Sequence, residues 1–146
     1  MGSGYEFRED LLPMAFLVAR RALRVEDIDG VMGEFRSLVE RRIRYVSVAD
    51  LRGNNEIPDA LTRRRYGEEI ARFEPFSRVW SLGGAVVVDS EIVRGALTAI
   101  QWVARPQMPM VYFSDLRPAV DWAVQRLEGA GLEVTPAIRA FRARLD

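Results

Sequence analysis

AVVVDSEIVRGALTAI, residues 85–100, is the stretch whose reading decides the fold. Four consecutive apolar residues, three of them β-branched, make a run of strand length. Ala85 to Val88 therefore reads as a central strand buried on both faces, with Val86 and Val88 on one side and Ala85 and Val87 on the other. Asp89 and Ser90 end it with two side chains suited to capping a helix. Ile92, Ala96, Leu97, Ile100 and Val103 then recur at helical spacing. A buried strand followed by a capped amphipathic helix is half of a βαβ unit, and the same alternation extends in both directions.

Upstream, Tyr45 to Ala49 reads as a strand ending at Asp50, followed by loop chemistry at Arg52-Gly53-Asn54-Asn55. Pro58 suits a first helical turn, and that helix is expected to run through Leu61, Tyr66, Ile70 and Phe73 and stop near Pro75. Gly83-Gly84 marks a bulge or the strand entrance. Further back, Ile28, Val31, Met32, Phe35, Leu38 and Val39 predict a helix from Val25 to Arg41, with Glu26 and Asp27 at the positive end of its dipole. Met14 to Arg20 is another apolar run, with Tyr5 to Leu12 as its pairing segment and Pro13 at the bend.

Downstream, Pro106 and Pro109 close the helix, and Met110 to Phe113 forms a short strand. Ser114 or Asp115 caps a helix carrying Leu116, Val120, Ala123, Val124 and Leu127 on one side, with Gly129 and Gly131 as stops. Thr135-Pro136 starts a terminal helix with Ile138, Phe141 and Leu145 as its stripe. The predicted class is α/β: a small, mostly parallel sheet of four or five strands with helices packed mainly on one side. One domain over residues 5–146 is expected, with Met1-Gly2-Ser3-Gly4 read as an expression scar.

The composition narrows the chemistry. The 146 residues contain no Cys and no His, and all 21 cationic side chains are Arg. Thiolate nucleophiles, disulfides, imidazole bases and lysine Schiff bases are thereby excluded. Carboxylates, hydroxyls, Tyr and oriented Arg remain, so the expectation is a protein that is not an enzyme and needs no cofactor or metal. The net charge of zero argues against nucleic acid as the partner. With no apolar run long enough to span a bilayer and no leader pattern, no membrane span and a cytoplasmic location are expected. Exclusive use of Arg reads as codon bias in a GC-rich, bacterial-type genome.

Three groups of residues are candidates for function. Asp50, Asp89, Arg94 and Asp115 fall at the carboxyl ends of strands, the rim where open α/β sheets bind ligands. Ordinary helix capping explains the same residues. Arg63, Arg64, Arg65 and Tyr66 form a basic run with an aromatic neighbour, either a solvated helix face or a partner patch. Trp80, Phe76 and the stripe Ile138, Phe141 and Leu145 suggest apolar surface beyond one small core, hence a homodimer.

AVVVDSEIVRGALTAIQW and MPMVYFSDLRPAVDWAVQRL together resemble the STAS group, whose name joins sulphate transporters and anti-sigma-factor antagonists, and its SpoIIAA-like members. The resemblance implies a small sheet with helices stacked on one side and a regulatory, protein-binding role. It also implies that Ser90, which follows an Asp at a strand-to-helix turn, corresponds to the phosphorylatable serine of the antagonists. The small Gly-rich run that follows that serine in the family is replaced here by Glu91-Ile92-Val93-Arg94, which favours Ser90 as a cap. The expectation is a non-enzymatic STAS-like interaction module with a protein partner. The alternative is a binder of a small apolar or anionic ligand at the carboxyl-end rim.

Overall fold

The computed structural model describes residues 4–104 and 109–145. Met1 to Ser3 and Pro106 lie outside the described residues. The elements are β1 (Glu6–Arg8), a 3-10 turn (Glu9–Leu11), β2 (Met14–Val18), α1 (Val25–Glu40), β3 (Tyr45–Asp50) and α2 (Ala60–Trp80). They continue with β4 (Ser81–Val87), α3 (Glu91–Ala104), β5 (Met110–Phe113), α4 (Leu116–Gly129) and α5 (Pro136–Ala143). The five strands lie side by side in chain order. β1 pairs antiparallel with β2 across the bend at Pro13, and every later pairing is parallel.

That order explains the layers. Crossovers of one hand that always advance to the next strand put their helices on one face. α1, α2 and α3 are those helices, and they pack in a row, α1 on α2 and α2 on α3. α4 has no further strand to reach, so it turns under the sheet and packs on β3, β4 and β5 from the other side. α5 follows it, placing Ile138 in the same core.

The α4 face is densely filled. Met14, Phe16, Val46, Val48, Ala85 and Val87 meet Leu116, Ala119, Val120, Ala123, Val124 and Leu127, all buried. Each large aliphatic side chain removed from water here contributes about 1.5–3 kcal/mol. Phe141 completes the layer with its ring 5.0 Å from that of Phe16. Ala85 to Val88 are buried on both faces, as a strand with neighbours on each side requires.

Two expectations are corrected. α2 does not stop near Pro75 but runs through it to Trp80. The proline removes one hydrogen bond to the carbonyl of Ala71, and both residues are exposed, so water can satisfy that oxygen. Burial of Phe73 and Ser77 ties the helix down on either side. The terminal stripe is not spare surface either: Ile138 is buried, and Phe141 and Leu145 pack on the α4-side core. Trp80 likewise packs beside Ala15, Leu38 and Tyr45.

Gly83-Gly84 is a bulge. Tyr45 pairs with Ser81 and Ser47 with Gly84, so β4 spends one more residue than β3 over this stretch. Gly83 sits at φ +126°, where a Cβ would approach the Pro109 carbonyl oxygen to 2.9 Å.

Candidate functional site

The rim at the carboxyl ends of the strands is built around Asp50. Strand alternation carries its side chain inward, where it is 1% exposed. Arg52, two residues on, donates from Nε and Nη2 to its two oxygens at 2.9 Å each, a bidentate pairing. The Arg52 backbone N–H adds a third bond at 3.2 Å, and Arg20 approaches at 3.2 Å from the end of β2. Burial pushes the Asp50 carboxyl up, but the hydrogen bonds from Arg52 and Arg20 outweigh it and hold it below the usual carboxylate range.

Asp89 accepts the Gly53 backbone N–H at 3.1 Å and so pins the β3–α2 loop to the end of β4. Arg52 is held protonated first by its bonds to Asp50 and further by the charges of Asp115 and Asp89. The cations of this rim are thus Arg52 and Arg20. Arg94 lies instead over the Tyr112 ring, 5.2 Å from its centroid. The first turn of α3 aims it across β5 rather than back over β3. Among the described residues it makes no ion pair with Asp50 or Asp115. Ser90 Oγ accepts the Val93 N–H at 3.3 Å, which is N-cap geometry. Asp115 is the N-cap residue of α4 but makes no side-chain cap bond.

The run Arg63 to Tyr66 does not form one patch. Successive helical residues turn by about 100°, so Arg63 and Arg64 border the outer side between α2 and α3 while Arg65 and Tyr66 turn away from it. Arg63 donates to the Pro58 carbonyl at 2.6 Å. Arg64 is exposed on the outer face. Arg65 crosses to α1 and pairs with Asp29 at 2.8 Å, beside the buried Glu69, which also holds Arg36 and Arg72. Tyr66 turns inward.

What Tyr66 meets is a feature that periodicity does not reveal. On the face toward α1–α3 the sheet carries a cross-strand row of small residues, Ala15, Ser47 and Gly84, which pair in register. Ala49 stands in the next row between Leu17 and Val86. Toward this face α2 sends Thr62, Tyr66, Ile70, Phe73 and Ser77, which do not reach into the row of small residues everywhere along it. The helical layer and the sheet therefore do not close on each other.

Two adjoining apolar cavities of about 90 and 130 Å³ lie between them, sharing Leu17, Met32, Ala49, Tyr66, Val86 and Met110 as walls. Ser47 and Ala49 consequently keep partial exposure on a central strand whose Val46 and Val48 have none. The first cavity reaches the strand-end rim at Leu51, Asn54 and Pro58. Burial, with a smaller contribution from Tyr112, pushes the Tyr66 phenol up to about 12, so it enters as a neutral hydroxyl. The signal available in the sequence was the pair of small residues at alternate positions of β3, Ser47 and Ala49.

Among the described residues, no three acidic side chains converge as a metal site would need, and no helix is long and apolar enough to cross a membrane. The chain matches no protein-family model, no curated protein and no solved structure.

Proposed function

We propose that this chain is a non-enzymatic binding module of STAS-like element order, and that the interior of its α1–α3 side receives a small apolar ligand. The observation that carries the reading is the pair of adjoining apolar cavities over Ala49 and Val86. An apolar cavity of about 150 Å³ in a protein core binds benzene. Each cavity here is somewhat smaller and the pair is larger, so the fitting ligand is on the scale of one or two small rings or a short alkyl chain. Unfilled volume costs about 24 cal/mol per Å³. On that scale the 130 Å³ cavity represents about 3 kcal/mol and the 90 Å³ cavity about 2 kcal/mol available to an occupant.

The rim supports entry rather than chemistry. Asp50 is fully engaged by Arg52 and Arg20, which leaves it poorly placed as a base. Tyr66 between the two cavities gives a ligand a place to set a polar end, while the Asn54 amide at the mouth is already held by the Arg21 carbonyl and the Glu56 N–H. A role for Ser90 as a phosphoswitch gains nothing from this site, because its hydroxyl caps α3.

The test is a titration with benzene, indole and naphthalene, followed by thermal unfolding and amide chemical shifts. Saturable stabilisation is expected, with shifts at Ala49, Val86 and Met110, and Ala49→Leu should remove both. If none of the three compounds moves those amides up to its solubility limit, the reading is wrong. The regulatory, partner-binding role implied by the STAS resemblance draws support from a different surface, the outer face of α2 and α3.

A further inference from the structure

The outer face of α2 and α3 leaves large apolar side chains in solvent. Leu61, Ile92 and Trp102 are 68%, 61% and 73% exposed. Between the two helices runs an open groove of about 680 Å³ with Gly67, Ala71, Ala96 and Ala99 along its floor. A Cβ built at Gly67 would meet Ile100 Cγ2 at 4.0 Å and no described atom closer, so the helix backbone is open to a close approach from outside.

Arg64 and Glu68 line the same groove one turn apart, both exposed, and neither pairs with a described residue. Neighbouring charges on α2 do pair, as Arg65 with Asp29 and Arg78 with Glu74 show. The order Arg then Glu at a spacing of four is the less favourable one for pairing within a helix. Both charges are therefore available to something outside the chain.

We infer that this face binds a second copy of the same chain about a two-fold axis, with α2 antiparallel to α2 of the second copy. A two-fold contact is self-complementary: whatever residue i does to residue j, j does to i. The register that sets Arg64 against the second copy's Glu68 also makes the reciprocal pair. The same register sets Leu61 against the second copy's Ala71, a large exposed side chain on a small one. Charge and shape are thus satisfied by one alignment, in which Arg64 and Glu68 cancel and Arg63 at the groove's edge stays on the Pro58 carbonyl. A lipid surface would accept Leu61 and Ile92 but would gain nothing from Glu68.

Arg64, Glu68 and Leu61 line neither interior cavity, so the dimer and the ligand site stand or fall separately. The test is the molar mass by light scattering and sedimentation equilibrium from micromolar to millimolar concentration. A reversible dimer is expected. Arg64→Glu and Glu68→Arg should each weaken it by about tenfold or more, because each reversal creates two like-charge contacts per dimer. The double variant R64E/E68R should return its dissociation constant to near that of the parent, and Leu61→Glu should abolish association. All these side chains are exposed, so melting temperatures measured at monomeric dilution should stay together.

A monomeric mass throughout the range overturns the inference, as does a dimer indifferent to both single reversals. Flotation of a monomeric chain with phosphatidylglycerol vesicles would also overturn it and assign the face to a membrane surface instead.

Discussion

Replacing Ala49 by Leu separates a sheet face that holds a cavity from one that is fully packed, because the sign of the stability change differs. Ala49 is on central strand β3 and lines both cavities. The new side chain adds three carbons, each contributing about 0.8 kcal/mol when buried, or about 2.4 kcal/mol in all. Fixing a leucine rotamer costs about 0.5–1 kcal/mol of that. The expected result is a gain of about 1.5 kcal/mol, or roughly 4–5 °C in melting temperature for a domain of this size. In a packed core the same insertion costs about 1–3 kcal/mol. Ala123→Leu supplies that comparison, since Ala123 is 0% exposed against the sheet on the α4 side. Urea unfolding at constant slope measures both. A loss of stability for Ala49→Leu similar to that for Ala123→Leu would refute the cavity and the ligand site with it.

Ser90→Ala should cost about 1 kcal/mol, because the Val93 N–H loses its acceptor, and a melting curve reads this directly. A cost near zero would mean that the bond is not formed in solution. Asp50 gives a pH dependence with a definite sign. Its carboxyl is held below the ordinary range, so the unfolded chain takes up its proton first as pH falls. The stability it contributes is complete above the ordinary aspartate value of about 3.9 and is lost as pH falls below that toward the folded value. Asp50→Asn should lower stability at neutral pH by about 2–3 kcal/mol, toward the low end for a broken buried pair because Arg20 and Arg52 are partly exposed. It should also flatten the acid limb of the stability profile, and an unchanged limb would show that Asp50 is not the group responsible.

Much of the fold was legible because burial of backbone forces periodicity. Ala85 to Val88 had to be a central strand, since four apolar residues in a row leave no face for water. Thr135-Pro136 had to open a helix, and Thr135 accepts the Ile138 N–H in that role. The path of α2 through Pro75 was not legible. A local rule ends the helix there, and contacts distant in sequence, at Phe73, Ser77 and Trp80, decide otherwise. The rim was legible in part. Asp50 and Asp89 were visible as strand-end carboxylates, but which Arg would serve Asp50 depended on side-chain directions. Arg52 turns back to it, while Arg94 goes to Tyr112.

The sequence by itself therefore determined the element order, the two-sided burial of the central strand and the exclusion of cysteine, histidine and lysine chemistry. These follow from local periodicity and from the residue types present, which no tertiary arrangement can change. Only the tertiary structure decided that Ala15, Ser47 and Gly84 stand in one row and that Ala49 stands beside them. It also decided that α2 turns Tyr66 inward and leaves Arg64 and Glu68 outside. Each of these residues is unremarkable in its own strand or helix. The cavities exist because parallel register adds up small side chains from strands some 30 residues apart in the chain, and the outer groove because α2 and α3 set Gly67 and Ala71 beside Ala96 and Ala99, sums that no local stretch of sequence contains.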